Sequence, residues 1–179
     1  MSEHKLSEKK IFQLWWLHDA RWYQEVATEF GFAVANRLNK KILIFLAERV
    51  ARQEVKKYLI SNKIASMEDV IEIIQRCSQR MWPDEMVEIR YRVESERVFE
   101  VDVTRNFALY MLRLANSLEN YECPCFEIRS AWFSEMNINI KKHKITQCCM
   151  QSASACTFYV ELDLNKTKKG SYKCSINQT

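Results

Sequence analysis

Six of the seven cysteines lie beyond Glu122: a Cys-Pro-Cys step (Cys123, Cys125), an adjacent pair (Cys148, Cys149), Cys156 and Cys174. Thiols gathered in one half of a chain suit soft-metal ligation or redox chemistry, although free cysteine also packs as a small hydrophobe. The spacing departs from zinc fingers, in which two to four residues separate the thiols of each pair. If the last two strands form a hairpin, Cys148 or Cys149 stands nearly opposite Cys156 across the turn Met150 to Ala155, close enough to share a metal. A third thiol would then come from Cys123 or Cys125 at a neighbouring helix start, where the helix dipole also favours a thiolate. The alternative is that most of these thiols are packing residues, with Cys77 and Cys174 incidental.

Asp19 is the sharpest site residue outside the cysteines. It follows Trp15 by four residues and Trp16 by three, and precedes Trp22 by three and Tyr23 by four, so on a helix its carboxylate sits within an aromatic stripe. Such an acid is costly unless it is hydrogen-bonded or bound to a cation, and burial would raise its pKa toward general acid or base use. The plainer reading is a structural acid bonded to an arginine or a backbone amide. Trp15, Trp16, Trp22 and Trp132 could line an apolar ligand pocket, or they could simply be core. His18 points about 100° away from Asp19 around the helix, so a ligand pair is not expected. Glu54, flanked by Arg52, Lys56 and Lys57, reads as exposed, and His143, among Lys141, Lys142 and Lys144, reads as a surface residue.

These residues need elements to hold them. Apolar residues recur at helical spacing from Leu6 to about Phe30 and from about Phe32 to Ile60, with Gly31 as the break; Leu38, Ile42, Phe45, Leu46, Ala47 and Val50 are expected to face inward. Ser66 with Glu68 and Asp69 opens a third helix that closes before Trp82-Pro83. The period then changes to two: Val87, Ile89, Tyr91 and Val93, followed by Phe99, Val101 and Val103, read as an antiparallel hairpin. Helices follow over Arg105–Leu118 and Phe126–Met136, then a second hairpin from Ile138 to Cys149 and from Cys156 to Leu164. The expected fold is α+β, an antiparallel sheet of about four strands in two hairpins, covered on one face by long N-terminal helices and two further helices. Residues 1–164 form one domain, and 165–179 form a polar, lysine-rich tail expected to be loosely ordered.

Composition narrows the function. The chain has 179 residues, a net charge of +4 and only two glycines, Gly31 and Gly170. Glycine scarcity excludes a phosphate-cradling loop, so no nucleotide cofactor is expected. The basic residues form no stripe interleaved with aromatics, which argues against nucleic acid as a partner. No apolar run reaches the roughly 18 residues of a membrane span, and the polar start lacks a secretory segment, so a cytoplasmic protein with reduced thiols is expected.

The run Leu14-Trp15-Trp16-Leu17-His18-Asp19-Ala20-Arg21-Trp22-Tyr23, with Glu29-Phe30-Gly31-Phe32, resembles the opening of uncharacterised cytosolic relatives of the L-2-amino-thiazoline-4-carboxylic acid hydrolases. The second half resembles both those hydrolases and small-molecule-binding domains of the 4-vinyl reductase type, through Val103-Thr104-Arg105, Cys123 and Cys156-Thr157-Phe158. The resemblance implies an α+β domain enclosing a pocket for a small organic molecule, and zinc held by cysteines, with Cys148 and Cys156 similar to the last two ligands of the reductase-type site. The chain departs from the pattern at Asn106, where the hydrolase-like proteins tend to carry a cysteine, and at Ala153-Ser154-Ala155, which replaces a glycine-containing turn.

The leading expectation is therefore a small-molecule-binding protein acting as a hydrolase on a thiazoline-like or amide-like C–N bond. Asp19 and Cys123 would be catalytic, Trp15, Trp16, Trp22, Asn106 and Trp132 would line the substrate pocket, and Cys123, Cys148 and Cys156 would hold zinc. The alternative is a non-catalytic ligand sensor with structural zinc. A third reading leaves the thiols as reduced core residues and makes the protein a homodimer or an interaction partner.

Overall fold

Gly31 is the only residue between the first two helices, and its φ of 85° is a conformation that favours glycine. A Cβ there would meet nothing within 4 Å, so the requirement is conformational rather than one of space. The break lets helix α1 (Glu8–Phe30) fold back against α2 (Phe32–Tyr58). The computed structural model describes residues 8–82, 86–151 and 154–164, and the tail expected from 165 lies outside these. Among the described residues no helix is long and apolar enough to cross a membrane.

Asp69 joins α2 to α3 (Met67–Met81). Its carboxylate accepts from the backbone N–H of Ala65 and Ser66, both at 2.8 Å, and from the Tyr58 hydroxyl at 2.5 Å, while Ser66 accepts from the Asp69 N–H. This is a capping box with an added tyrosine, and the Tyr58 hydrogen bond, ahead of the backbone donors, holds the Asp69 carboxyl below its usual range.

The strands follow the alternation of the sequence. β1 (Val87–Ser95), β2 (Val98–Asn106), β3 (Asn139–Gln147) and β4 (Cys156–Asp163) form one antiparallel sheet in the order β1-β2-β4-β3. β2 pairs with β4 so that Val101 faces Phe158 and Val103 faces Cys156. Phe99, Val101, Val103, Cys156, Phe158, Val160 and Leu162 are all buried on the inner face. α3 and α5 (Cys125–Glu135) lie against the sheet, α2 packs on both, and α1 packs on α2 and on α4 (Phe107–Leu114). The expected α+β architecture is thus the observed one.

With glycine scarce, asparagine ends two helices. Asn116 follows α4 with φ 51°, and Asn137 follows α5 with φ 56°; in each case the next N–H returns to a carbonyl five residues back, Ser117 to Leu112 and Ile138 to Phe133. This cap stops α4 at Leu114, short of the expected Leu118, and residues Leu118–Asn120 form a separate 3-10 turn.

α2 corrects one expectation. It buries Ala35, Ala47, Val50 and Ala51, whereas Ile42, Phe45 and Leu46 are exposed. Small residues allow close helix approach, so the contact face is the alanine face and the larger side chains point outward. Together with Ile11, Leu14, Trp15 and Trp22 of α1 they leave much apolar surface uncovered, a general mark of association.

Asn36, buried on α2, clasps the segment that leads into α5. Its side-chain oxygen accepts from the Tyr23 hydroxyl (2.8 Å) and the Glu122 N–H (3.0 Å), and its amide donates to the Asn120 carbonyl (2.8 Å). Asn36→Ala strands these groups and is expected to cost about 1–3 kcal/mol in chemical denaturation. An unchanged midpoint would show that the clasp carries no stability.

Candidate functional site

α5 starts within the Cys-Pro-Cys step, at its second cysteine, because Pro124 at the N-cap supplies a fixed φ and needs no N–H partner. Cys125 is the first residue of the helix, and Arg129 follows four residues later on the same face. Asn36 fixes the chain just upstream, at Asn120 and Glu122. The site is thus set by one helix start, pressed against β3 and β4.

Arg129 lies at its centre, 6% exposed. Its Nε donates to His143 Nε2 at 3.1 Å, its guanidinium carbon sits 3.6 Å from the centre of the Phe158 ring, and its buried Nη2 has no partner. Among the described residues it makes no ion pair with a carboxylate. Burial depresses its pKa, and against that act the potential charges of Cys125, Tyr91, Cys123 and Cys156. A cation in this setting is stabilised by a ring face, by thiols and by whatever anion reaches it.

Cys123 Sγ donates to Cys125 Sγ at 2.8 Å. That hydrogen bond, aided by Arg129 and opposed by burial, brings the Cys125 thiol down to about 7. The same bond, together with burial, pushes Cys123 up. The pair is therefore asymmetric: the proton stays on Cys123 and the charge develops on Cys125. Both side chains are half-buried. A second thiol group lies at the 156 end of β4, where the Cys149 N–H donates to Cys156 Sγ at 3.2 Å and burial drives Cys156 up to about 12.

His143 corrects the surface reading. It is half-buried on β3, edge-on to Phe126 at 4.2 Å and tilted to Phe158 at 6.1 Å. Because a guanidinium can only donate, Nε2 must carry the lone pair and Nδ1 the proton. Burial first, and Arg129 second, lower its pKa to about 3.

The other expected site residues disperse. Asp19 is exposed (side chain 55%) and touches His18 Nδ1 at 3.4 Å, since α1 is packed through Phe12, Trp16, Tyr23 and Ala27 and not at Asp19. Trp15 (61% exposed) stacks on His18, Trp22 is 41% exposed, and Trp16 is half-buried against Phe107. Trp132 is buried in the core beside Trp82, so the four tryptophans do not converge. Asn106 caps α4, its side chain accepting from the Leu109 N–H. Glu54 is 5% exposed rather than exposed, because Lys57 at 3.0 Å and Arg80 of α3 at 3.6 Å neutralise it.

The structure does not bring Cys123, Cys148 and Cys156 together as one group of ligands. Among the described residues no group of three His, Cys, Asp or Glu side chains is disposed to hold a metal ion. Cys123 is engaged by Cys125 and Cys156 by Cys149, and the charge of Arg129 that reaches Cys123 and Cys156 opposes a divalent cation. The donor set therefore does not fit zinc.

A groove of about 500 Å³ lies on the outer sheet face, lined by Arg92, Glu100, Asp102, Thr104, Thr146 and Thr157 among others. Arg92 pairs with Glu100 (2.7 Å) and Asp102 (3.2 Å), and Thr157 donates to Asp102 (2.8 Å), so these groups satisfy one another. Arg129 and His143 were missed by sequence reasoning; the i,i+4 spacing of Cys125 and Arg129 is the signal that could have found the arginine.

The depressed pKa of His143 has a defined sign. The neutral form stabilises the fold fully above about pH 6.5, the ordinary histidine value, and that contribution falls away as pH drops towards 3. The ring resonance of His143 followed by NMR is expected not to titrate between pH 8 and 5; a midpoint near 6.5 would contradict the Arg129–His143 geometry.

No protein-family model matches the chain, and no curated protein matches it. The resemblance to the thiazoline-carboxylate hydrolases and 4-vinyl reductase domains thus rests on short motifs alone. Among solved structures the chain is similar to a trafficking protein particle complex subunit 3 from Naegleria fowleri, crystallised covalently bound to palmitic acid. The two are 13% identical with a TM-score of 0.57, over 87% of this chain and 97% of that one. At that identity the likeness is one of fold.

Proposed function

We propose that this chain is a small-molecule-binding domain whose ligand joins an anionic head group to an apolar body and binds where Arg129 meets the Cys123–Cys125 pair and the rings of Phe126 and Phe158. The observation that carries this reading is the Arg129 guanidinium, buried with Nη2 unpartnered and, among the described residues, no carboxylate in its ion-pair range. A buried cation is costly without a charge partner, and the fork of guanidinium donors matches a carboxylate or phosphate. Nε is occupied by His143, which leaves Nη2 for the ligand.

The structural neighbour supports the apolar body of the ligand and not its head group: it shares this fold and holds palmitic acid, an apolar chain, in covalent linkage, a state in which the fatty acid presents no free carboxylate. The hydrolase reading gains no support, since Asp19 is exposed on α1 and no metal-ligating set accompanies the thiols among the described residues. Binding, with no bond cleaved, is what the site supports.

Titration of the whole chain with dodecanoate and with dodecanol, at concentrations below micelle formation, tests this. The acid is expected to bind at least tenfold more tightly, about 1.4 kcal/mol, and Arg129→Gln is expected to remove the difference. Equal affinity for acid and alcohol in the unmodified protein, or binding of neither, would overturn the reading without recourse to the variant.

A further inference from the structure

We propose that Cys123 and Cys125 form a dithiol–disulfide couple, in which Cys125 is the thiol that attacks a hydroperoxide and Cys123 is the thiol that resolves the product. The inference rests on the two thiols and the neighbouring Arg129, and its test does not require an anionic ligand to bind.

Three observations converge on the pair. The two sulfurs are already 2.8 Å apart, with only Pro124 between their residues to hold them on one side of the chain. They are inequivalent: Cys123 donates to Cys125, and Cys125 stands one helical turn before a buried arginine that favours its anion. Both residues retain some exposure. Cys77 and Cys156 are instead buried, and burial leads the causes that push each thiol up to about 12. Thiolate character with access sets susceptibility to oxidation, and on that criterion Cys125 precedes both.

The chemistry balances with a hydroperoxide as oxidant. The Cys125 thiolate attacks the distal peroxide oxygen; the O–O bond breaks, the departing alkoxide or hydroxide takes a proton, and the sulfur becomes a sulfenic acid. Cys123 then attacks that sulfur as its own proton leaves, the S–O bond breaks, and the oxygen departs as water. Two thiols are oxidised to one disulfide, and one peroxide is reduced to an alcohol, or to water where the oxidant is hydrogen peroxide, with a further water formed in the resolving step. No metal or cofactor takes part.

The test uses the full chain, reduced and desalted, treated with hydrogen peroxide, quenched with N-ethylmaleimide and mapped. Trypsin releases both thiols in one peptide, Leu114 to Arg129. That peptide is expected to lose two hydrogens and take up no maleimide after peroxide, and to carry two maleimides before it. Cys123→Ser is expected to stop at a sulfenic acid that dimedone traps on Cys125, and Cys125→Ser to slow oxidation of the peptide at least tenfold. Recovery of both maleimides after peroxide from the unmodified protein, or equally fast dimedone labelling of Cys123 in the Cys125→Ser variant, would overturn the proposal. Either result leaves the dodecanoate experiment unaffected, so the two readings fail separately.

Discussion

The site depends on one costly arrangement, a guanidinium buried without a carboxylate partner among the described residues. An isolated cation in a protein interior is penalised by several kcal/mol, and unlike lysine or histidine, arginine cannot escape by giving up its proton. Arg129 is tolerated because three neighbours share its charge: the face of Phe158, the lone pair of His143 and the Cys125 thiol. Two of them are shifted as well, His143 by burial first and Arg129 second, and Cys125 by its Cys123 hydrogen bond first with Arg129 adding to it. His143 is confined to one tautomer and kept neutral, and Cys125 becomes the acidic member of its pair while Cys123 becomes its donor.

The architecture makes this possible by building the site from separate layers. β3 supplies His143 and β4 supplies Phe158, while α5 supplies Cys125, Phe126 and Arg129. The register that sets His143 opposite Val160 follows from the inward alternation of β4, and the helix start is held from behind by Asn36 of α2. A fold shared at 13% identity shows how little the layer arrangement needs particular residues. The arginine and thiol cluster carries the main part of the functional argument.

What could be read from the sequence divides along the range of the forces involved. Strands were legible because side-chain direction alternates locally, and the breaks at Gly31 and Ser66 because their chemistry lies within a few residues. The face of α2 was not, because apolar residues lie on several sides of it and the choice was made by alanines that admit α5 and α3 closely. Glu54 and His143 were misread for one shared reason: their sequence neighbours are charged, whereas the residues that set their environment, Arg80 and Arg129, arrive from other elements. The run of thiols beyond Glu122 was visible in the sequence. Its division into two groups, one beside a buried cation, required the packing of α5 against the second hairpin.

The central claim, that Arg129 acts on Cys125, is tested most directly by the rate of Cys125 alkylation as a function of pH, followed by mass spectrometry in the unmodified chain and in Arg129→Gln. The account predicts a midpoint of about 7 in the unmodified chain, and a shift upward in the variant. A midpoint at the ordinary thiol value of about 8.5 in both proteins would contradict it.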